Sequence, residues 1–116
     1  MTDFKAKFEE SAQNSEILKK NSPEVMNKFM GVAKEVLTPK HLDAKTKELV
    51  AVGIAVSVRC EDCIMAHVRN TIQTGATMEE LSETIEVAIL MGGGPSTAYG
   101  AKALAIAEYL FNQEQQ

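Results

Sequence analysis

Two cysteines and a histidine fall within one short stretch, Arg59-Cys60-Glu61-Asp62-Cys63-Ile64-Met65-Ala66-His67. Cys60 to Cys63 is an i,i+3 step and Cys63 to His67 an i,i+4 step, the spacings at which side chains meet on one face of a helix. A thiol attacks only as its thiolate, so a reactive cysteine needs something to lower its pKa or take its proton. The stretch offers two such devices. If a helix begins near Arg59 or Cys60, both sulfurs lie in its first turn, where unpaired N–H groups and the dipole favour an anion. His67, one turn beyond Cys63, is placed to accept a proton directly or through a water. The dipole favours the sulfur nearest the helix terminus, the histidine favours Cys63, and Glu61 and Asp62 between them oppose ionisation of either by like charge. Two thiols within one turn can also close a disulfide after a single oxidation.

Those side chains must be held by the elements around them. Glu48 stands at the entrance to an apolar run from Leu49 to Val58. The segment before the cysteines has to turn back beside them across a short connection at Arg59, which makes Glu48 a candidate relay partner for His67. The run itself is ambiguous. Val50, Val52, Ile54, Val56 and Val58 alternate as a buried strand would. Leu49, Val52 and Val56 also fit the helical period, Asp43 is a plausible cap upstream, and nothing elsewhere offers a partner strand, so the run is read as a helix enclosed by neighbours.

The rest of the chain is punctuated for helices. Asp3 or Thr2 can cap a first helix, polar and loosely docked over residues 1–21, and Ser22-Pro23-Glu24 combines a cap, an N1 proline and an acidic first turn. Thr38-Pro39 closes the second helix. The cysteine helix should reach about Thr74, where Gly75 supplies a left-handed stop. Thr77-Met78-Glu79-Glu80 is a capping box for the next. Gly92-Gly93-Gly94 breaks that helix, and Pro95 fits the first turn of a last, alanine-rich helix to about Phe111, beyond which the Gln-rich end should fray. The expected fold is all-α, a compact bundle of about five or six helices forming one module over residues 1–116.

Composition narrows the function classes. The chain has 116 residues, a formal charge of −4, no Trp and a pI near 5.2. An acidic chain with scattered lysines argues against sequence-independent binding to nucleic acid or to an anionic membrane. No stretch reads as a secretory signal or a membrane span, so a reducing cytoplasm is the expected compartment, where a CxxC is rarely a structural staple. A core rich in Ala, Val and Met suggests closely packed helices whose burial is completed by neighbouring subunits.

Taken together, Glu48, eleven intervening residues, Cys60-Glu61-Asp62-Cys63, three more and His67 resemble the signature of the alkylhydroperoxidase D-like branch of the carboxymuconolactone decarboxylase family. The resemblance runs from about Ser22 to Phe111, including Leu42 to Leu49 and Met91-Gly92-Gly93-Gly94-Pro95. It implies an all-helical, single-module protein that assembles into trimers or hexamers and reduces hydroperoxides or disulfides. Carried over by position, Cys63 would attack the peroxide and become a sulfenic acid. Cys60 would donate the leaving-group proton and then resolve the sulfenic acid into a Cys60–Cys63 disulfide. His67 and Glu48 would relay protons, with no cofactor beyond the disulfide. A peroxiredoxin, a lipoyl protein or a thioredoxin-like protein would reset the pair. Where some peroxidase members place a histidine before the second cysteine this chain has Asp62, a more negative surrounding for the thiols.

Other readings compete. A decarboxylase-like lyase would act on a small carboxylated lactone, with His67 transferring the proton and Arg59 or Arg69 holding the carboxylate, but that branch does not depend on a cysteine pair. A non-catalytic redox sensor would use the disulfide to alter assembly. Two thiolates, an imidazole and Glu48 could also supply four zinc donors, although structural zinc usually joins ligand pairs from separate segments and His41 is a poor second partner. No metal is therefore expected.

Overall fold

A computed structural model describes residues 1–114, and all regular structure among them is helical: α1 (Phe4–Asn21), α2 (Pro23–Leu37), α3 (Ala44–Ser57), α4 (Glu61–Gln73), α5 (Met78–Gly92) and α6 (Gly94–Glu114). The expectation for the terminal Gln115 and Gln116 lies outside the described residues. No described helix is long and apolar enough to cross a membrane.

The chain divides into two units, Met1–Lys40 and the segment from His41 onward. In the first, α1 and α2 pack on each other. Asp3 caps α1 by accepting the Ala6 N–H at 3.0 Å. Ser22 stands at the N-cap position of α2, but its side chain makes no capping hydrogen bond. Its N–H closes α1 on the Leu18 carbonyl at 2.8 Å, and its backbone, at φ −136° and ψ 59°, lies outside the extended region from which an N-cap side chain reaches the first-turn N–H groups. Neither helix contains a buried residue, and Ile17, Leu18, Val25, Phe29, Met30, Val32 and Val36 are exposed.

In the second unit α3 packs on α4, α5 and α6, and α6 packs on α4 and α5. Val52, Ala55 and Val56 of α3 meet Ile64, Met65, Val68 and Ile72 of α4, Leu81, Ile85 and Ala88 of α5, and Ala103, Ile106 and Ala107 of α6 in one core. The α3 run resolves as helix, with its valines divided between two faces: Val52 and Val56 are fully buried, whereas Val50, Ile54 and Val58 are exposed. A strand would have put all of them on one side. This chain therefore encloses α3 on one flank only. The exposed flank, with Val87, Ala88 and Met91 of α5, borders an apolar groove of about 400 Å³.

Small residues set the helix spacing. A Cβ at Gly100 on α6 would lie 2.5 Å from Ile85 Cγ2, so α5 and α6 approach closely only because that side chain is absent. The capping box of α5 is formed in both directions, Thr77 Oγ1 accepting the Glu80 N–H at 3.1 Å and Glu80 accepting the Thr77 N–H at 2.9 Å.

Candidate active site

The site is built at the junction of α3 and α4. Asp43 starts α3 by accepting the Thr46 N–H at 2.7 Å, and its carboxyl is held below the usual range first by the Thr46 hydroxyl and then by that N–H. Two residues on, Lys45 reaches across to Glu80 at 2.8 Å and ties the first turn of α3 to the first turn of α5. Glu48 follows on the buried flank of α3, only 6% exposed.

The end of α3 and the start of α4 share residues. The Cys60 N–H bonds the Ala55 carbonyl at 3.1 Å and the Arg59 N–H bonds the Val56 carbonyl at 3.2 Å, the paired bonds of a Schellman motif. The residue in the left-handed position is Arg59, at φ 60°. Cys60 then serves as N-cap of α4, its sulfur accepting the Cys63 N–H at 3.2 Å. One residue thus closes the first helix and opens the second, and both sulfurs lie at the positive end of α4, where the sequence predicts them. Cys60 and Cys63 are joined by a disulfide.

One helical turn beyond Cys63, His67 Nδ1 lies 2.8 Å from Glu48 Oε2. The histidine side chain is 28% exposed and the glutamate 9%, so the pair bridges the core and the solvent-facing side of α4. With the carboxylate accepting, Nδ1 carries the hydrogen and Nε2 is left as the nitrogen that can take a proton. Thr71, fully buried, donates its hydroxyl to the His67 carbonyl and steadies this turn of α4. The residues that sequence spacing singled out therefore occupy two adjoining turns, with Glu48 supplied from the neighbouring helix. Among the described residues no group of three or more His, Cys, Asp and Glu side chains is arranged to hold a metal ion.

Lys102 is the residue sequence reasoning missed. Its Nζ lies 3.9 Å from Glu61 Oε2, so α6 brings a cation to the acidic dipeptide between the cysteines. The available signal was faint: Lys102 is the sole lysine after Lys47, on an otherwise alanine-rich helix. Arg69 is exposed on α4.

Known proteins share this architecture and sequence. Residues 23–107 match the model of the carboxymuconolactone decarboxylase family. An uncharacterized protein of Cupriavidus necator is 38% identical over 104 residues, covering 90% of this chain and 92% of that protein. A carboxymuconolactone decarboxylase family protein of Legionella pneumophila superposes with a TM-score of 0.84 at 39% identity, covering 87% of this chain and 90% of that one. A family protein of Thermotoga maritima, suggested to take part in an antioxidative response, superposes with a TM-score of 0.84 at 29% identity, covering 94% and 93% of the two chains. With the family model spanning α2 to α6 and the relatives covering nearly the whole chain, the protein belongs to the carboxymuconolactone decarboxylase family.

Proposed function

We propose that the protein is a thiol oxidoreductase that reduces hydroperoxides or disulfides with Cys60 and Cys63. The observation that carries this reading is the placement of a CxxC pair at the N-terminus of α4 one turn from a histidine already paired with a buried carboxylate. Dipole, cap and proton acceptor are the devices a thiol needs to ionise and react near neutral pH. The antioxidative role suggested for the Thermotoga maritima relative points the same way.

With a hydroperoxide, Cys63 gives its proton to the His67–Glu48 pair and attacks the terminal oxygen. An S–O bond forms, the O–O bond breaks, and the alkoxide leaves as an alcohol with the proton of Cys60. The Cys60 thiolate then attacks the Cys63 sulfenic acid. An S–S bond forms, and hydroxide departs as water with the proton held on His67. Two thiols and one peroxide give one disulfide, one alcohol and one water, and a partner dithiol of the peroxiredoxin, lipoyl or thioredoxin-like kind restores the thiols by exchange. The working unit in this reading is a homo-oligomer, a trimer or hexamer, whose subunits cover the exposed apolar flanks of α3 and α5; patches of this kind mark association surfaces.

Steady-state reduction of a small alkyl hydroperoxide with a dithiol as electron donor tests the assignment. Cys63→Ser should fall to the uncatalysed rate, and full turnover in that variant would remove Cys63 from the role.

A further inference from the structure

Arg59 is the one non-glycine residue with positive φ among the described residues. The other two left-handed positions, Gly75 and Gly93, carry the residue that adopts this conformation without steric cost. The backbone bonds that close α3 here are made by the main chain of Arg59 and Cys60, so glycine would serve the turn at least as well. The arginine side chain is not needed by the fold in any other visible way: it is exposed, and its guanidinium makes no hydrogen bond or ion pair with the described residues. It is also bonded directly to Cys60. Strain retained beside a reactive pair, with a free cation as the only thing gained, is an observation that asks for a ligand.

Resting on the thiol-exchange reading above, we propose that Arg59 is a specificity-determining residue that favours substrates or partner disulfides carrying a carboxylate or similar anion close to the sulfur. The surrounding charges make such a cation necessary for an anionic partner. Glu61 and Asp62 stand on α4, Glu48 is engaged with His67, and Lys102 from α6 is directed at Glu61. Lys102 is paired with Glu61, whereas Arg59 makes no ion pair with a described carboxylate. Its fork of N–H donors suits a carboxylate.

The exchange balances without a further reagent. The reduced cysteine pair attacks a disulfide RSSR, one S–S bond breaks as a mixed disulfide forms, and the second cysteine displaces the other thiol. The products are the Cys60–Cys63 disulfide and two RSH, the thiol protons ending on the released sulfurs.

The test compares three small aliphatic disulfides of similar size: dithiodiglycolate, anionic; hydroxyethyl disulfide, neutral; and cystamine, cationic. The fully reduced whole protein is mixed with each, and closure of Cys60–Cys63 is followed as wild type and as Arg59→Gly, Arg59→Gln and Arg59→Lys. The Gly and Gln variants should lose about fivefold in rate on the anionic disulfide, the size expected for one solvent-exposed charge contact, keep the neutral rate and gain on the cationic one. Arg59→Lys should retain most of the anionic preference, and added salt should erase it. The thermal midpoint of Arg59→Gly should equal or exceed wild type, separating recognition from folding. Equal changes on all three disulfides, or none, would overturn the role of Arg59 while leaving thiol exchange intact. A wild-type dithiol inert to all three would overturn the exchange reading and this assignment with it.

Discussion

His67 and Glu48 hold each other in place, so removing one exposes the other. Glu48 is 6% exposed and its carboxylate is hydrogen-bonded to the His67 ring. His67→Ala should therefore cost about 1–3 kcal/mol of stability, the penalty of a buried polar group left without its hydrogen bond, read from urea unfolding. On the reaction itself, loss of the proton acceptor should slow Cys63 oxidation by about 10²-fold, the lower range of general acid–base contributions. Glu48→Gln keeps a hydrogen-bond acceptor for Nδ1 and should preserve most of the stability while slowing oxidation, a separation of folding from chemistry that stopped-flow peroxide consumption and unfolding curves measure side by side. Cys60, Cys63 and His67 were legible from types and spacing, because i,i+3 and i,i+4 steps on one helix fix relative position before any tertiary contact is known; Glu48, on the preceding helix, was legible because the short connection at Arg59 turns α3 back beside α4. Lys102 was not: its approach to Glu61 depends on how α6 crosses α4, which a local pattern does not encode.

At the scale of elements, helix boundaries were read well where a cap is a local event. Asp3, Asp43 and the Thr77–Glu80 box each close on their own backbone within three residues. Ser22 failed to cap because its backbone, at φ −136° and ψ 59°, lies outside the extended region taken by the residues that do cap, a conformation a start signal judged alone does not reveal. The contact at Gly100 yields a direct test. In Gly100→Ala the new methyl would meet Ile85 Cγ2 at 2.5 Å, and Ile85 is a core side chain, 3% exposed, that must shift to admit it. A loss of about 1–3 kcal/mol is expected, smaller than additive when combined with Ile85→Ala, by thermal or urea melting. The Lys45–Glu80 bridge gives a pH signature. Glu80 is held below the usual carboxylate range, first by the hydrogen bond from Lys45, and Lys45 is raised above the usual lysine range by the same contact. A lowered acid contributes above its unfolded pKa and loses that contribution as pH falls through the folded value; a raised base contributes below its unfolded pKa and loses it as pH rises through the folded value. Glu80→Gln, which keeps the capping box, should lower the thermal midpoint slightly at neutral pH, with the difference from wild type vanishing in acid below the lowered carboxyl pKa.

For the whole molecule, the uncovered flank of α3 is the feature that a single chain leaves unfinished. The sequence pattern marks Leu49 to Val58 as apolar all round, but which part faces its own core and which faces outward follows only from where α4, α5 and α6 pack. Val50, Ile54 and Val58 are left at 51%, 57% and 64% exposure, and the exposed Val87 and Met91 of α5 line the same groove as Val50 and Ile54. If subunits meet here, Ile54→Asp should shift the assembly to monomers in sedimentation equilibrium while helical content is unchanged; an unaltered subunit number would move the interface elsewhere. The chemistry proposed for the protein is tested most directly by a single turnover. Fully reduced protein is mixed with one equivalent of alkyl hydroperoxide, and intact mass is followed with remaining peroxide. Wild type should consume the equivalent and lose the mass of two hydrogens as Cys60–Cys63 closes, Cys60→Ser should stop one oxygen heavier at the Cys63 sulfenic acid, and Cys63→Ser should leave the peroxide untouched. Peroxide consumption by Cys63→Ser at the wild-type rate would contradict thiol catalysis at this site.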